Sequence, residues 1–262
     1  MKTGKNEEIK IGLLAMPDNE NSANLIQYFF ENGVAIDFVI YWKPSLKDQI
    51  KRVVRKLKAS GAGPTLQRIF FALRRTGSAD NSGPKRHGFR SFSVPSHNSL
   101  ECQEILRNEG CDLLLVSTDA IIGSNVLKIP RLATLNAHPG WIPQFRGLGS
   151  FYHQLAQGKK PAVSVHKVDE GVDTGPLILR ECLEIDGKDD FAAVEAQLGA
   201  LQHKLLLKVV NLFKTQTVQY FDTFEEKSNL TRGMSAKERR RLVQKFNNGE
   251  IALSPIGSAD EH

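Results

Sequence analysis

The sequence predicts an α/β fold, a mostly parallel twisted sheet with helices on both faces, carrying a helical insertion and a C-terminal extension. Three observations predict it. The chain opens as strand, helix, strand over residues 9–16, 21–32 and 35–42. A β-α-β opening of this kind fits a parallel sheet with helices packed on its faces. Residues 112–117 form a mostly apolar run, the composition of a central strand buried on both sides. Asp190 then caps a long helix with Val194, Leu198, Leu201, Leu205, Val209 and Leu212 on one face. The start is Rossmann-like, yet Gly12-Leu13-Leu14-Ala15-Met16-Pro17 lacks the G-x-G-x-x-G turn of a dinucleotide site, which argues against a nicotinamide enzyme.

The remaining elements follow from local signals. The first helix stops at Gly33. Ser45 can cap a helix with Leu46, Ile50, Val53, Val54 and Leu57 as its stripe, broken by Gly61-Ala62-Gly63-Pro64. A second helix carries Leu66, Ile69, Phe70 and Leu73, and residues 76–88 read as a Gly/Ser/Asn/Pro-rich loop. This helical insertion spans about residues 45–90. Residues 100–108 read as a helix stopped by Gly110, residues 119–127 as a loop with a short helix, and residues 132–138 as a strand. A helix over 151–157 ends at Gly158, and strands at 161–168 and 177–185 bracket a long turn. A main domain over 1–214 and an extension over 215–262 result. In the extension, Ser235-Ala236-Lys237-Glu238 is a capping box opening a short helix through about Phe246, with a loose tail expected after Asn247.

Composition narrows the class. At 262 residues and 40% hydrophobic, the chain can bury a substantial core. Cys102, Cys111 and Cys182 form no C-x-x-C pair, which points to free thiols in a reducing compartment. The N-terminal segment has no apolar leader, and no run reaches the roughly 18 apolar residues of a membrane span. A cytoplasmic, soluble protein is expected. The net charge of +6 is uneven: residues 47–90 hold twelve Lys/Arg against two acids, and the remainder 23 against 27. Such a segment is a solvated helix face or a phosphate-seeking surface, and no interleaved aromatics mark it for base stacking. The Arg239-Arg240-Arg241 run reads as a solvated face.

Two stretches carry chemistry: Asn136-Ala137-His138-Pro139, and Ser164-Val165-His166-Lys167-Val168-Asp169-Glu170-Gly171-Val172-Asp173-Thr174-Gly175-Pro176. Asn136 and His138 sit two apart, so a strand end presents both on one face. Asp173 lies in a Gly-rich loop suited to close approach by a ligand. An amide donor, a tunable acid/base and a carboxylate are the parts of acyl transfer between nitrogens. Singly, each residue also fits a structural role. His166 either lines the site or is a buried, satisfied histidine. His138, His166 and Asp173 can in principle hold a metal as two imidazoles and a carboxylate.

In order and spacing these segments, with Pro143-Gln144-Phe145-Arg146-Gly147 between them, resemble the folate-dependent formyltransferase family, whose members act on glycinamide ribonucleotide, methionyl-tRNA and amino sugars. The resemblance covers roughly residues 9–42 and 92–213. It implies that Asn136 donates to the formyl oxygen, His138 assists that oxyanion and moves a proton to the leaving nitrogen, and Asp173 orients the imidazole, favours its charged form and draws the proton from the incoming amine, directly or through water. It implies 10-formyltetrahydrofolate as co-substrate and no metal. The pterin pocket maps onto backbone groups of Ala120, Ile121, Ile122 and Gly123, and of Val168, Asp169, Gly171 and Val172. Two departures concern its shape. Asp119 stands where relatives commonly pack a residue on folate, and Gly140-Trp141 replaces a common Ser-Leu pair. Trp141 either stacks on the co-substrate, shapes the acceptor entrance, or is simply packed.

The implied partner is a small-molecule primary amine, with a nucleotide-linked amino sugar as first candidate; no nucleic-acid partner is expected. Methionyl-tRNA is disfavoured because relatives of that activity carry a second β-domain, and 48 residues (215–262) follow Lys214. Glycinamide ribonucleotide, a 10-formyltetrahydrofolate hydrolase and a non-catalytic folate-binding protein are the alternatives. The sequence is silent on oligomeric state.

Overall fold

The computed structural model describes residues 9–17, 19–43, 88–221 and 228–256. The expected insertion helices between Ser45 and Leu73 lie outside them. In chain order the elements are β1 (Ile11–Ala15), α1 (Glu20–Glu31), β2 (Phe38–Trp42), β3 (Arg90–Val94), α2 (Leu100–Glu109), β4 (Leu113–Ser117), α3 (Ser124–Leu127) and β5 (Ala133–His138). They continue as β6 (Arg146–Gly147), α4 (Ser150–Ala156), β7 (Ala162–Lys167), β8 (Leu177–Cys182), α5 (Phe191–Lys214), β9 (Leu230–Thr231) and α6 (Ala236–Asn247).

Seven strands form one sheet in the order β3-β2-β1-β4-β5-β7-β8. The first five are parallel, as the β-α-β opening predicts, while β7 and β8 run antiparallel. β1 is buried at every position, which is why its sequence is a run of apolar residues rather than an alternation. β3 is not anticipated by the sequence reading. Its residues, Arg-Ser-Phe-Ser-Val, are mostly exposed because it is an edge strand, so the apolar signal is diluted.

Helix ends match their caps. Asn19, Ser99 and Asp190 accept backbone N–H groups at the starts of α1, α2 and α5. Gly110 closes α2 in the left-handed conformation, and Ser235 with Glu238 completes the capping box of α6. Two apolar clusters cover the two sheet faces. One packs α1 and α5 against Leu13, Leu115, Leu135 and Val165. The other sets α2 and α3 against Leu14, Phe38, Leu114 and Val116. Cys102, Cys111 and Cys182 are free thiols, and burial pushes the first two up to about 12. Among the described residues no helix is long and apolar enough to cross a membrane.

The segment after Asn247, expected as a loose tail, is pinned as far as Ile256. Ser254 bridges Lys159, its N–H donating to Gly158 O at 2.8 Å while Lys160 N–H returns to Ser254 O at 2.8 Å. Ile256 is buried against Phe145 and Ala162. Upstream, Leu230 and Thr231 pair with Arg146 and Gly147 as a short parallel ribbon. These contacts join residues far apart in sequence, so no local pattern could announce them.

Candidate active site

The site grows from a change of strand direction. β5 alternates, with Ala133, Leu135 and Ala137 in the α5-side cluster and Thr134, Asn136 and His138 on the opposite face. β7 returns antiparallel, with Val163 and Val165 in that same cluster. Its Ser164 and His166 therefore face the side of Asn136 and His138. The register places Asn136 opposite His166 and His138 opposite Ser164. The same face thus carries two imidazoles, a carboxamide and a hydroxyl at adjacent positions.

Asp173 closes the group from the β7–β8 loop. Its Oδ2 lies 3.3 Å from His138 Nδ1 and its Oδ1 3.5 Å from His166 Nε2. Gly147 N–H donates to Oδ2 at 2.9 Å. Asp173 holds a left-handed backbone, φ 51°, a conformation that Asp tolerates better than most residues yet which costs energy. Neighbours hold it there. Arg146 donates through Nη1 to Val172 O at 2.9 Å, and Asp169 Oδ1 accepts from Gly171 N at 3.0 Å and from Thr174 Oγ1 at 2.8 Å.

Ser164 shapes the motif turn from below, accepting from Ile142 N at 3.0 Å and donating to Gly140 O at 2.7 Å, before a cis Ile142–Pro143 bond. The packing around Gly140 demands glycine. A Cβ there would sit 2.6 Å from both His138 Nε2 and Phe145 O and 2.7 Å from Ser150 Cβ. Trp141 is half-buried in the cluster with Phe145, Ala162 and Ile256, and the Arg180 guanidinium lies 4.1 Å over its ring. Arg180 thus covers one face of the ring.

Charges here are biased by burial. Burial holds His138 below the ordinary histidine value, opposed by the Asp173 carboxylate; burial prevails, and nearby His166 adds to it. Burial alone would raise Asp173, yet His166 facing it at 3.5 Å, the nearby His138 charge and the Gly147 N–H together bring it down to about 2. Asp173 is thus ionised throughout the neutral range. His138 Nε2 faces Phe145 O at 2.9 Å. A carbonyl only accepts, so Nε2 carries a hydrogen, and Nδ1, beside Asp173, is the nitrogen free to gain and lose one.

His166 proves to line the site: it is buried, with Nδ1 toward Lys167 O at 3.2 Å and Nε2 toward Asp173. The carboxamide of Asn136, half-buried, takes part in none of the hydrogen bonds among the described residues. Among those residues, no group of three His, Cys, Asp or Glu side chains is disposed to hold a metal ion.

The two loops expected to hold a pterin lean on one cluster, through Ala120, Ile122 and Val168. Several of their backbone groups already serve the loops themselves. Asn98 accepts from Gly123 N at 2.7 Å and donates to Ile121 O at 2.8 Å, and Val168 N donates to Thr134 O at 2.8 Å. Gly171 N and Val172 O are engaged by Asp169 and Arg146 as above. Ile122 keeps its backbone out of the described bonds, and the side chains of Ile121 and Val172 are exposed. Asp119 points to solvent.

The profile of the family described as Formyl transferase matches residues 67–210. This chain belongs to that family. A methionyl-tRNA formyltransferase of Kosmotoga olearia is 26% identical over 178 residues, 67% of this chain and 57% of the relative. The chain spans just over half the length of such curated relatives, 57% and 56% for the first two. A phosphoribosylglycinamide formyltransferase structure from Anaplasma phagocytophilum superposes with a TM-score of 0.57 at 18% identity, covering 86% of this chain and 98% of that one. A sugar N-formyltransferase from Shewanella sp. FDAARGOS_354 gives 0.53 at 17%, covering 90% and 87%. At such identities the two structures speak for the fold.

Sequence reasoning missed Ser150, Ser164 and Thr231 around this candidate site. Ser164 was within reach, since it stands two residues before His166 on the same strand face. Ser150 and Thr231 gave no local signal.

Proposed function

We propose that this formyl transferase family member moves a formyl group from 10-formyltetrahydrofolate to a primary amine of a small molecule. The observation supporting it best is one ionised carboxylate, Asp173, between two buried imidazoles, His138 and His166, with Asn136 on the same sheet face. The co-substrate supplies a one-carbon unit as an amide-like carbonyl on nitrogen. Asn136 donates an N–H toward that carbonyl oxygen as negative charge develops, a contribution of about 2.7–4 kcal/mol for one donor. His138 Nδ1 receives the proton that the attacking amine must lose and delivers one to the departing nitrogen. Asp173 stabilises the imidazolium in between. Proton handling of this kind contributes roughly 10²–10⁴-fold. Neutral His138, favoured by burial, is the form that can start the cycle.

For the acceptor, the basic stretch between Lys47 and Arg90 favours an amine attached to phosphate, with a nucleotide-linked amino sugar first. Methionyl-tRNA is the second reading, supported by the 26% identity to that class of relative. The test supplies 10-formyltetrahydrofolate with sugar nucleotides bearing a free amine, glycinamide ribonucleotide, and charged methionyl-tRNA, and follows deformylated folate. Transfer to a small amine supports the proposal. Transfer to tRNA with a steep loss in salt supports the second reading. Turnover without any amine identifies a hydrolase, and folate binding without turnover a binding protein.

A further inference from the structure

We propose that Ser150 and Thr231 are positioning residues that hold the His138 imidazole from behind, so that the segment around Thr231 belongs to the site. The inference rests on the catalytic reading of His138 given above. Behind the ring, four successive carbonyls, of residues 145–148, converge on three donors. Phe145 O faces His138 Nε2 at 2.9 Å, and Ser150 Oγ donates to Gly147 O at 2.9 Å. Thr231 Oγ1 donates to Arg146 O at 2.7 Å and reaches Leu148 O at 3.2 Å. The two hydroxyls touch at 3.1 Å, and Ser150 Oγ lies 3.1 Å from His138 Nε2.

Hydrogen counting fixes what this cage does. Each hydroxyl has one hydrogen, and the surrounding carbonyls supply acceptors only. Ser150 spends its hydrogen on Gly147 O or on Thr231, and so turns a lone pair toward the ring. Nε2 therefore meets two acceptors and carries hydrogen whether the ring is charged or neutral. A flipped ring would set a C–H against both, so the orientation that leaves Nδ1 facing Asp173 is held. Ser150 is 1% and His138 4% exposed, so water cannot readily replace either contact.

Thr231 also anchors the other half of the site. It pairs with Gly147, whose N–H holds Asp173 Oδ2, and Gly147 has φ 91° with Thr231 O only 2.7 Å from where a Cβ would stand. One residue from the C-terminal extension thus braces both the imidazole and the carboxylate. Arg232 O receives His153 Nε2 at 2.6 Å, tying the same segment to α4.

The experiment uses the full chain with Thr231→Val, which removes the hydroxyl and keeps the shape, and Thr231→Ser, which restores it. Ser150→Ala reads the contact from its other end should Thr231→Val fail to fold. Two measurements are made: kcat and KM with the amine that the wild type accepts, and the ¹⁵N resonances of His138. In Thr231→Val, kcat should fall about 10- to 100-fold with KM values nearly unchanged, the scale seen when an outer partner of a functional histidine is lost. The wild-type resonances should show neutral His138 protonated at Nε2; the valine variant should keep that tautomer, which Phe145 O enforces, while its ring resonances shift and broaden as the imidazole loses its fixed position. Thr231→Ser should recover both. Unchanged kcat, unchanged resonances, or a serine variant as impaired as the valine would overturn the inference. A wild type that transfers formyl to no amine refutes the functional reading instead, while the resonances still decide the positioning role.

Discussion

The same two strands, β5 and β7, present two unlike faces. Toward α5 they show Ala133, Leu135, Ala137, Val163 and Val165, all buried in one apolar cluster with Val194, Leu198 and Leu205. Toward the other side, one residue out of step, they show Thr134, Asn136, His138, Ser164 and His166. The first face is held by non-directional packing, in which many residues share the load and the size of each matters more than its chemistry. On the second, His138 and Ser164 are held by directed hydrogen bonds, each with few substitutes. A change on the first face should therefore reach stability and leave the chemistry of the folded protein alone, whereas a change on the second should reach the chemistry first.

Asp173→Asn should give the largest effect. It keeps the shape and the Gly147 N–H contact but removes the charge that stabilises a protonated His138. Turnover should fall by about 10²–10⁴-fold with co-substrate KM little changed. His138 should also titrate lower still, because its main upward influence is gone. Steady-state kinetics and imidazole NMR check both, and a near-normal kcat would remove Asp173 from the mechanism.

On the packed face, Leu135→Ala should cost about 2–5 kcal/mol of folding stability in a urea titration, since Leu135 is wholly buried. Activity per folded molecule should stay near wild type. Asn136→Ala, one residue along, should show the reverse signature, with a rate loss of about 10²–10³-fold and little change in the unfolding midpoint. Equal signatures from the two would mean that the faces are not separable.

Gly140→Ala tests how tightly the polar face is packed. The added methyl would meet His138 Nε2, Phe145 O and Ser150 Cβ, all closer than a carbon tolerates. Accommodating it should displace the imidazole, lower kcat, and cost about 1–3 kcal/mol of stability as an overpacked site does. A fully active alanine variant would show that His138 has more freedom than its neighbours suggest.

Much of this arrangement was legible in the sequence, for reasons that separate the two faces again. The packed face announces itself by periodicity, so the strands ending at Ser117 and His138 and the helix after Asp190 were readable. Asn136, His138 and Asp173 were readable by their joint spacing and the family resemblance it carries. β3 escaped because an edge strand need not be apolar. Thr231 lies 93 residues from His138 in sequence, 231 − 138. A two-residue ribbon brings its hydroxyl to Ser150, which touches the ring, and so short a pairing leaves no repeating pattern.

Acid stability offers the gentlest test of the comparison. Asp173 is held down to about 2 in the folded protein, against roughly 3.9 for a free Asp side chain. The unfolded chain therefore binds this proton more readily, and the group's contribution is present in full above about pH 5 and lost as pH falls toward 2. Its size is about 2.5 kcal/mol. His138, held below its ordinary value by burial, acts in the same direction but earlier, from roughly pH 6.5 downward. By the time Asp173 titrates, His138 is charged, which is why the carboxylate resists protonation. Unfolding midpoints of wild type and Asp173→Asn, taken at pH 7, 5 and 3, should diverge most between the first two proteins at pH 7 and converge toward pH 3. Leu135→Ala should instead shift the midpoint by a similar amount at every pH, because its loss involves no proton. A parallel pH dependence in wild type and Asp173→Asn would mean that the carboxylate is not anchored by its two imidazoles in solution.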